Sequence, residues 1–195
     1  MLEEIRIYYE GDWRLKPGFH KFCSELHERA KARRCRIRWI DAEGTPCKDF
    51  SKAKTAPAVW NILLKDSERP DTGNLSASLC AENGWDKSRA DSIFWMVEMM
   101  ESWFHADKEA LARWYGEGFN PHALKRNPNV EQIPKRDLKD GLRDATKNTK
   151  KGDYYDDKAR HAAKLLELIN PALVQEAAPN CRKVFEAVLA KLASA

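Results

Sequence analysis

The chain has 195 residues, 43% of them apolar with seven Trp and seven Phe, which is enough for one substantial core and excludes a disordered polymer. No apolar run approaches the roughly 20 residues of a membrane span, and the start, with Glu3 and Glu4, lacks the apolar stretch of a secretory signal. The net charge of +4 is unevenly placed: residues 14–38 hold nine Lys or Arg against two Glu, and residues 61–120 hold six basic against eleven acidic side chains, as suits a metal-dependent enzyme on a phosphate backbone or an ordinary solvated surface.

The first element is "IRIYY" (5–9), a β-prone apolar run that ends abruptly in Glu10, Gly11 and Asp12. "FHKFCSELHERAKA" (19–32) follows, with Phe19, Phe22, Cys23 and Leu26 on one helical face and Pro17 and Gly18 at its start. "CRIRWI" (35–40) alternates apolar and charged residues, the pattern of a half-buried strand. "DAEGTP" (41–46) reads as a turn, and "FSKAKTA" (50–56) as a weak helix closed by Pro57. "VWNILL" (59–64) has the continuous apolar character of a central parallel strand. A short helix in "LSASLCAENG" (75–84) ends at Gly84, and "SIFWMV" (92–97) reads as a fourth strand whose continuation, "EMMESWF", is strand or helix.

Beyond Asp107 no strong strand signal remains. "KEALARWYG", "KRDLKDGLRDATKN", "DDKARHAAKLLELI" and "CRKVFEAVLAKLA" read as helices, with prolines between them. The order predicts an α/β fold: a Rossmann-like parallel sheet of about four strands with helices on both faces. Residues 1–115 form the α/β domain, and residues 116–195 a helical C-terminal extension packed on it. The cysteines are odd in number and scattered, without zinc spacing, so reduced thiols in a cytoplasm are expected.

Parallel strands bring their carboxyl ends to one edge, where ligands of open α/β sheets bind. Topology therefore gathers Glu10 after the first strand, Asp66 and Glu68 after the third, and Glu98 and Glu101 after the fourth. Crowded carboxylates repel unless a cation lies between them, and hard oxygen donors suit Mg²⁺ or Mn²⁺. A polar loop after a buried strand is the alternative for any one acidic pair.

"YYEGD" and "LLKDSE" resemble the Glu–Gly and Asp-x-Asp signatures of the TOPRIM fold of topoisomerases, primases and overcoming-lysogenization-defect (OLD) nucleases. "IYYEGD", "LLKDSE", "VEMMESWFHADKEALARWYG", "NPNVEQIPK" and "ATKNTKKGDYYDDKARHAAKLLELINP" together resemble a bacterial family, the domain-of-unknown-function 4276 family, over about residues 5–185. The resemblance implies a TOPRIM-like domain with Mg²⁺ or Mn²⁺ on Glu10, Asp66 and Glu68, and the strand-end topology adds Glu101 as a further candidate ligand. It implies phosphodiester cleavage of DNA or RNA beside an AAA-type ATPase in phage defence. The alternative is a non-catalytic regulatory or binding subunit of that ATPase. The second acid of the Asp-x-Asp pair is here Glu68, and Glu10 is followed by "GDWRLKPG", longer than the usual Gly-rich turn.

"KNTKKGDYYDDKARH" sets Lys147, Lys150, Lys151, Lys158, Arg160 and His161 around Tyr154 and Tyr155, a pattern that holds phosphates and stacks bases or forms a solvated loop. Lys147, Lys150 and Lys151 look too clustered for each to have its own acidic partner. His105 reads as a histidine satisfied at the surface, and Trp103 and Trp114 as core. No P-loop, GxSxG or HExxH is present, which removes an ATPase or a serine hydrolase.

Overall fold

In a computed structural model of the chain, which describes residues 1–41, 45–54 and 56–194, the sheet has four parallel strands. They are β1 (Glu4–Tyr9), β2 (Arg36–Asp41), β3 (Val59–Asp66) and β4 (Ile93–Met96), in the order β2-β1-β3-β4. Tyr9 pairs with Asp41 on one side and Leu64 on the other, and Asp66 pairs with Met96. The α/β class expected from the sequence is the one found.

Alternation along the strands fixes two apolar layers. Ile5, Ile7 and Tyr9 face the larger one, together with Trp39, Ile62, Leu64 and Met96. Tyr8, Leu63, Ile93 and Trp95 face a smaller one with Phe50, Leu75 and Leu79. That smaller core is closed by α3 (Pro46–Lys52) and α4 (Leu75–Glu82). The larger core takes α1 (Lys16–Phe22), α2 (Ser24–Ala32), α5 (Lys108–Tyr115), α6 (Lys135–Thr146), α7 (Lys158–Leu168), α8 (Pro171–Ala177) and α9 (Pro179–Ala193). Leu2 of the N-terminal segment and Leu192 of α9 belong to the same cluster. On the outer edge, β2 leaves Arg36 and Arg38 exposed while Ile37 and Trp39 are buried. All five cysteines are free thiols. Among the described residues no helix is long and apolar enough to cross a membrane.

The elements differ from the sequence reading in four places. The helix expected over 19–32 is split at Cys23 (φ −95°, ψ 24°) into α1 and α2. The helix expected over 50–56 is displaced to α3, because Pro46 is pre-shaped for a first turn and Ala53 (ψ 123°) is already extended; Thr55 lies outside the described residues. Helix α8 was read as punctuation around Pro171, yet Asn170 caps it by accepting the Ala172 N–H at 2.9 Å. "EMMESWF" resolves into a 3₁₀ helix, Met100–Ala106. The turn expected at 41–46 falls largely on residues 42–44, outside the described residues.

Gly18 sets the distance between α1 and α7. A Cβ there would meet the Ala163 carbonyl oxygen at 2.6 Å and Leu166 Cβ at 2.8 Å. Only a glycine lets the two helices approach this closely. The contact matters for function because α7 begins at Lys158, in the cleft described next.

Candidate active site

The carboxyl ends of β1 and β3 open into a cavity of about 600 Å³ lined by Glu10, Asp66, Glu68 and Glu101. Each strand delivers its residue differently. The Glu10 N–H bonds to the Leu64 carbonyl at 3.0 Å, which carries β1's direction one residue past its end. Glu10 Oε2 then accepts from Lys65 Nζ at 2.7 Å and from the Asp66 N–H at 3.2 Å. Asp66 closes β3, and its Oδ1 accepts the Met100 N–H at 2.9 Å. That bond locks the strand end to the 3₁₀ helix carrying Glu101.

Glu101 is fully buried. Its Oε1 accepts from Tyr154 Oη and from Lys158 Nζ, each at 2.8 Å. Its Oε2 is buried with no hydrogen-bond partner. A carboxylate oxygen in that state is costly to keep unless something cationic completes it. Asp66 senses the same crowding: burial first, then the Glu101 and Glu10 charges, against the Met100 N–H and Lys158, raise its carboxyl to about 7.

Glu68 stands further out. It is exposed, pairs with Lys135, and occupies left-handed backbone at φ +60°. Glu98 has the same conformation at φ +62°. Left-handed backbone costs a non-glycine residue about 1–2 kcal/mol. The two are zipped together by the Glu68 N–H to the Glu98 carbonyl at 3.1 Å and the Glu98 N–H to Ser67 Oγ at 2.8 Å. Burial raises the Glu98 carboxyl, against the Lys135 N–H that it accepts at 3.2 Å.

The set Glu10, Asp66 and Glu68 was expected to share one cation. The tighter electrostatic group is instead Asp66, Glu101 and Glu10, with Glu68 turned to Lys135. Among the described residues no three acidic, His or Cys side chains form a ready metal-holding group. Lysines stand in that role: Lys65, Lys135 and Lys158 pair with Glu10, Glu68 and Glu101.

Next to the cleft lies a second cavity of about 620 Å³, lined by Arg14, Lys150, Lys151, Arg160, Lys164 and Trp114, with His161 in its wall. Arg14 lines both cavities. It is held by Asp12 through Nε at 2.9 Å and NH2 at 2.9 Å, and by Asp157 at 3.3 Å. Of the expected basic residues, Lys150, Lys151, Arg160 and His161 line this cavity, Lys158 lines the acidic one, and Lys147 lines neither. Lys147 pairs with Asp144 at 2.7 Å and Lys150 with Glu117 at 3.4 Å, while Lys151 stands over the Trp114 ring. Tyr154 is no exposed stacking ring but a buried support for Glu101. His161 is buried against Tyr115 Oη at 3.0 Å. His105 is buried rather than on the surface, and burial lowers it to about 4. Trp103 is core as expected, but Trp114 is half-buried and faces the basic cavity.

A family model described as "Domain of unknown function (DUF4276)" matches residues 14–189. The chain belongs to the DUF4276 family. No curated protein matches it and no solved structure matches it. The match takes in Asp66, Glu68, Glu101 and the basic cavity, and begins after Glu10. In this DUF4276 chain, sequence reasoning missed Lys65, Lys135, Arg14 and Asp157 as site residues. Lys65 had a signal, since it directly precedes Asp66 at the end of a strand. Asp157 had one too, as the second acid of "YDDK" at a helix start, where it caps α7. Lys135 and Arg14 reach the site only through the tertiary fold.

Proposed function

We propose that this DUF4276 chain is a metal-dependent nuclease of TOPRIM type, cleaving phosphodiester bonds of DNA or RNA and acting with an AAA-type ATPase in phage defence. The observation that carries this reading is the unpartnered Glu101 Oε2, buried beside an Asp66 carboxyl raised to about 7 by burial and by its acidic neighbours. Such oxygens fit a hard divalent cation by donor chemistry. Asp66, Glu101 and Glu10 would hold Mg²⁺ or Mn²⁺, with Glu68 at the rim. The metal would polarise a phosphoryl oxygen and make a water nucleophilic at neutral pH. Arg14 and Lys158, both lining the cleft, place positive charge where a phosphate enters. If Glu10 does not ligate the ion, it would take the proton of the attacking water, while the leaving oxygen takes its proton from solvent.

One observation favours the second reading, a non-catalytic regulatory subunit of the ATPase: three lysines already pair with Glu10, Glu68 and Glu101, three of the four expected site carboxylates. Cleavage assays separate the two. Single- and double-stranded DNA and RNA are incubated with Mg²⁺ or Mn²⁺, with and without EDTA. The nuclease reading expects metal-dependent cleavage that Asp66→Asn and Glu101→Gln each lower by at least 100-fold, roughly the ~3 kcal/mol of a lost charge-stabilising group. Cleavage that survives both substitutions overturns it. Absent cleavage, with ATPase stimulation intact in Asp66→Asn, establishes the second reading.

A further inference from the structure

Resting on the nuclease reading, we infer that the basic cavity beside Trp114 is a subsite for one unpaired nucleotide flanking the scissile phosphate, so that the substrate is single-stranded nucleic acid.

Size comes first. A cavity of about 620 Å³ is in the range of small-molecule pockets, roughly 300–1,000 Å³, and admits a nucleotide but not a stacked duplex. Its charge is next. Arg14, Lys150, Lys151, Arg160 and Lys164 line it with one carboxylate, Glu167, and although Arg14, Lys150 and Lys164 each have an acidic partner, the lining itself is strongly basic. The third point is the indole. Trp114 is held edge-on by Tyr115 (centroids 4.5 Å apart, 67°) and by His161 (5.2 Å, 86°), which leaves its orientation fixed. Lys151 Nζ lies 5.6 Å from the Trp114 centroid, so the indole, which packs in part against the main core, also receives a cation on the cavity side. A base can take that face while Lys151 moves to its phosphate. Stacking of this kind requires a base free of its pairing partner.

Continuity places the subsite beside the reaction. Arg14 lines both cavities and is fixed by Asp12 and Asp157. A strand with its base on Trp114 therefore meets Arg14 next, and then the acidic cleft.

The test is binding by the full-length chain in EDTA, where cleavage does not interfere, with labelled oligothymidylate and a duplex of equal length as probes. Wild type is expected to prefer the single strand. Trp114→Ala should weaken single-strand binding roughly 5- to 150-fold, the range for one lost base stack, with duplex binding unchanged. Trp114→Phe should keep most of it. Arg160→Ala and Lys164→Ala should each flatten the slope of log K against log salt by about 0.7, as for one single-strand phosphate contact. Equal losses on both probes, or no loss in a folded Trp114→Ala, overturn the inference. If Trp114→Ala does not fold, the exposed pair Lys150→Ala with Arg160→Ala decides: a loss confined to the duplex overturns it. A Trp114-dependent single-strand preference without cleavage under any metal condition keeps the subsite and sinks the nuclease reading. Cleavage indifferent to Trp114 does the reverse.

Discussion

At the scale of single residues, Asp66 ties stability to pH. Its carboxyl is raised from 3.8 to about 7 in the folded chain. Between those values the folded state holds a proton that the unfolded state has lost, so this group's contribution falls as pH rises from about 4 to about 7. His105, lowered to about 4 by burial, works the opposite way, losing stability as pH falls below 6.5. Comparing wild type with Asp66→Asn isolates the first effect. The melting temperature of Asp66→Asn should exceed that of wild type at pH 8, and the gap should narrow toward pH 5. A gap that stays constant across that range contradicts the assignment. Lys158 supplies a second prediction. Lys158→Met removes the ammonium from a buried Glu101 that already has one unpartnered oxygen, which should cost about 1–3 kcal/mol. Millimolar Mn²⁺ should restore part of the loss, read as a larger thermal shift than in wild type. Equal shifts in both would show that the ion does not bind at Glu101.

At the scale of elements, positions that look unremarkable in sequence place the site. Gly18→Ala puts a methyl within 2.6 Å of the Ala163 carbonyl oxygen and should separate α1 from α7, lowering stability by about 1–3 kcal/mol. Because α7 carries Lys158, the variant should also weaken the response to metal; circular-dichroism melts with and without Mn²⁺ check both. Asp107 caps α5 by accepting the Ala110 N–H at 3.0 Å and also ties down the start of α8 by accepting the N–H of its cap, Asn170, at 2.8 Å. Asp107→Ala should therefore cost more than one ordinary cap, about 2 kcal/mol in a denaturant titration. The strands were legible in the sequence because each is a compact run with a period of two or a continuous apolar core. Glu10, Asp66 and Glu101 were legible because a parallel sheet sends its strand ends to one edge. Of the lysines opposing the site carboxylates, Lys65 adjoins Asp66 in the chain and Lys158 was expected only within a phosphate-binding cluster, while Lys135 reaches Glu68 from α6 with no local signal. Helical spacing placed Trp114 on the apolar face, where it does pack in part against the core, but could not tell that its other side is left to the basic cavity.

At the scale of the whole molecule, the N-terminal sheet and the C-terminal helices share one apolar cluster reaching from Leu2 to Leu192. Unfolding is expected as a single cooperative transition, with fluorescence and far-ultraviolet dichroism melting together. A fragment of residues 1–115 should bind a hydrophobic dye, because Trp103 and Phe22 lose Phe185 and the other α9 partners of that cluster; two separated transitions in the full chain would contradict this. The outer strand β2 bears on how copies of the chain coexist at high concentration. It lies at the edge of the sheet, and Arg36 and Arg38, 79% and 58% exposed in their side chains, keep net positive charge there although both lean back onto Glu4 of β1 at 3.3 and 3.6 Å. Two such edges repel before they can zip into a continuous sheet. Arg36→Thr with Arg38→Val removes that guard and leaves Glu4 to Arg6 alone, and light scattering at high concentration should show association that wild type lacks even where the variant remains folded by circular dichroism.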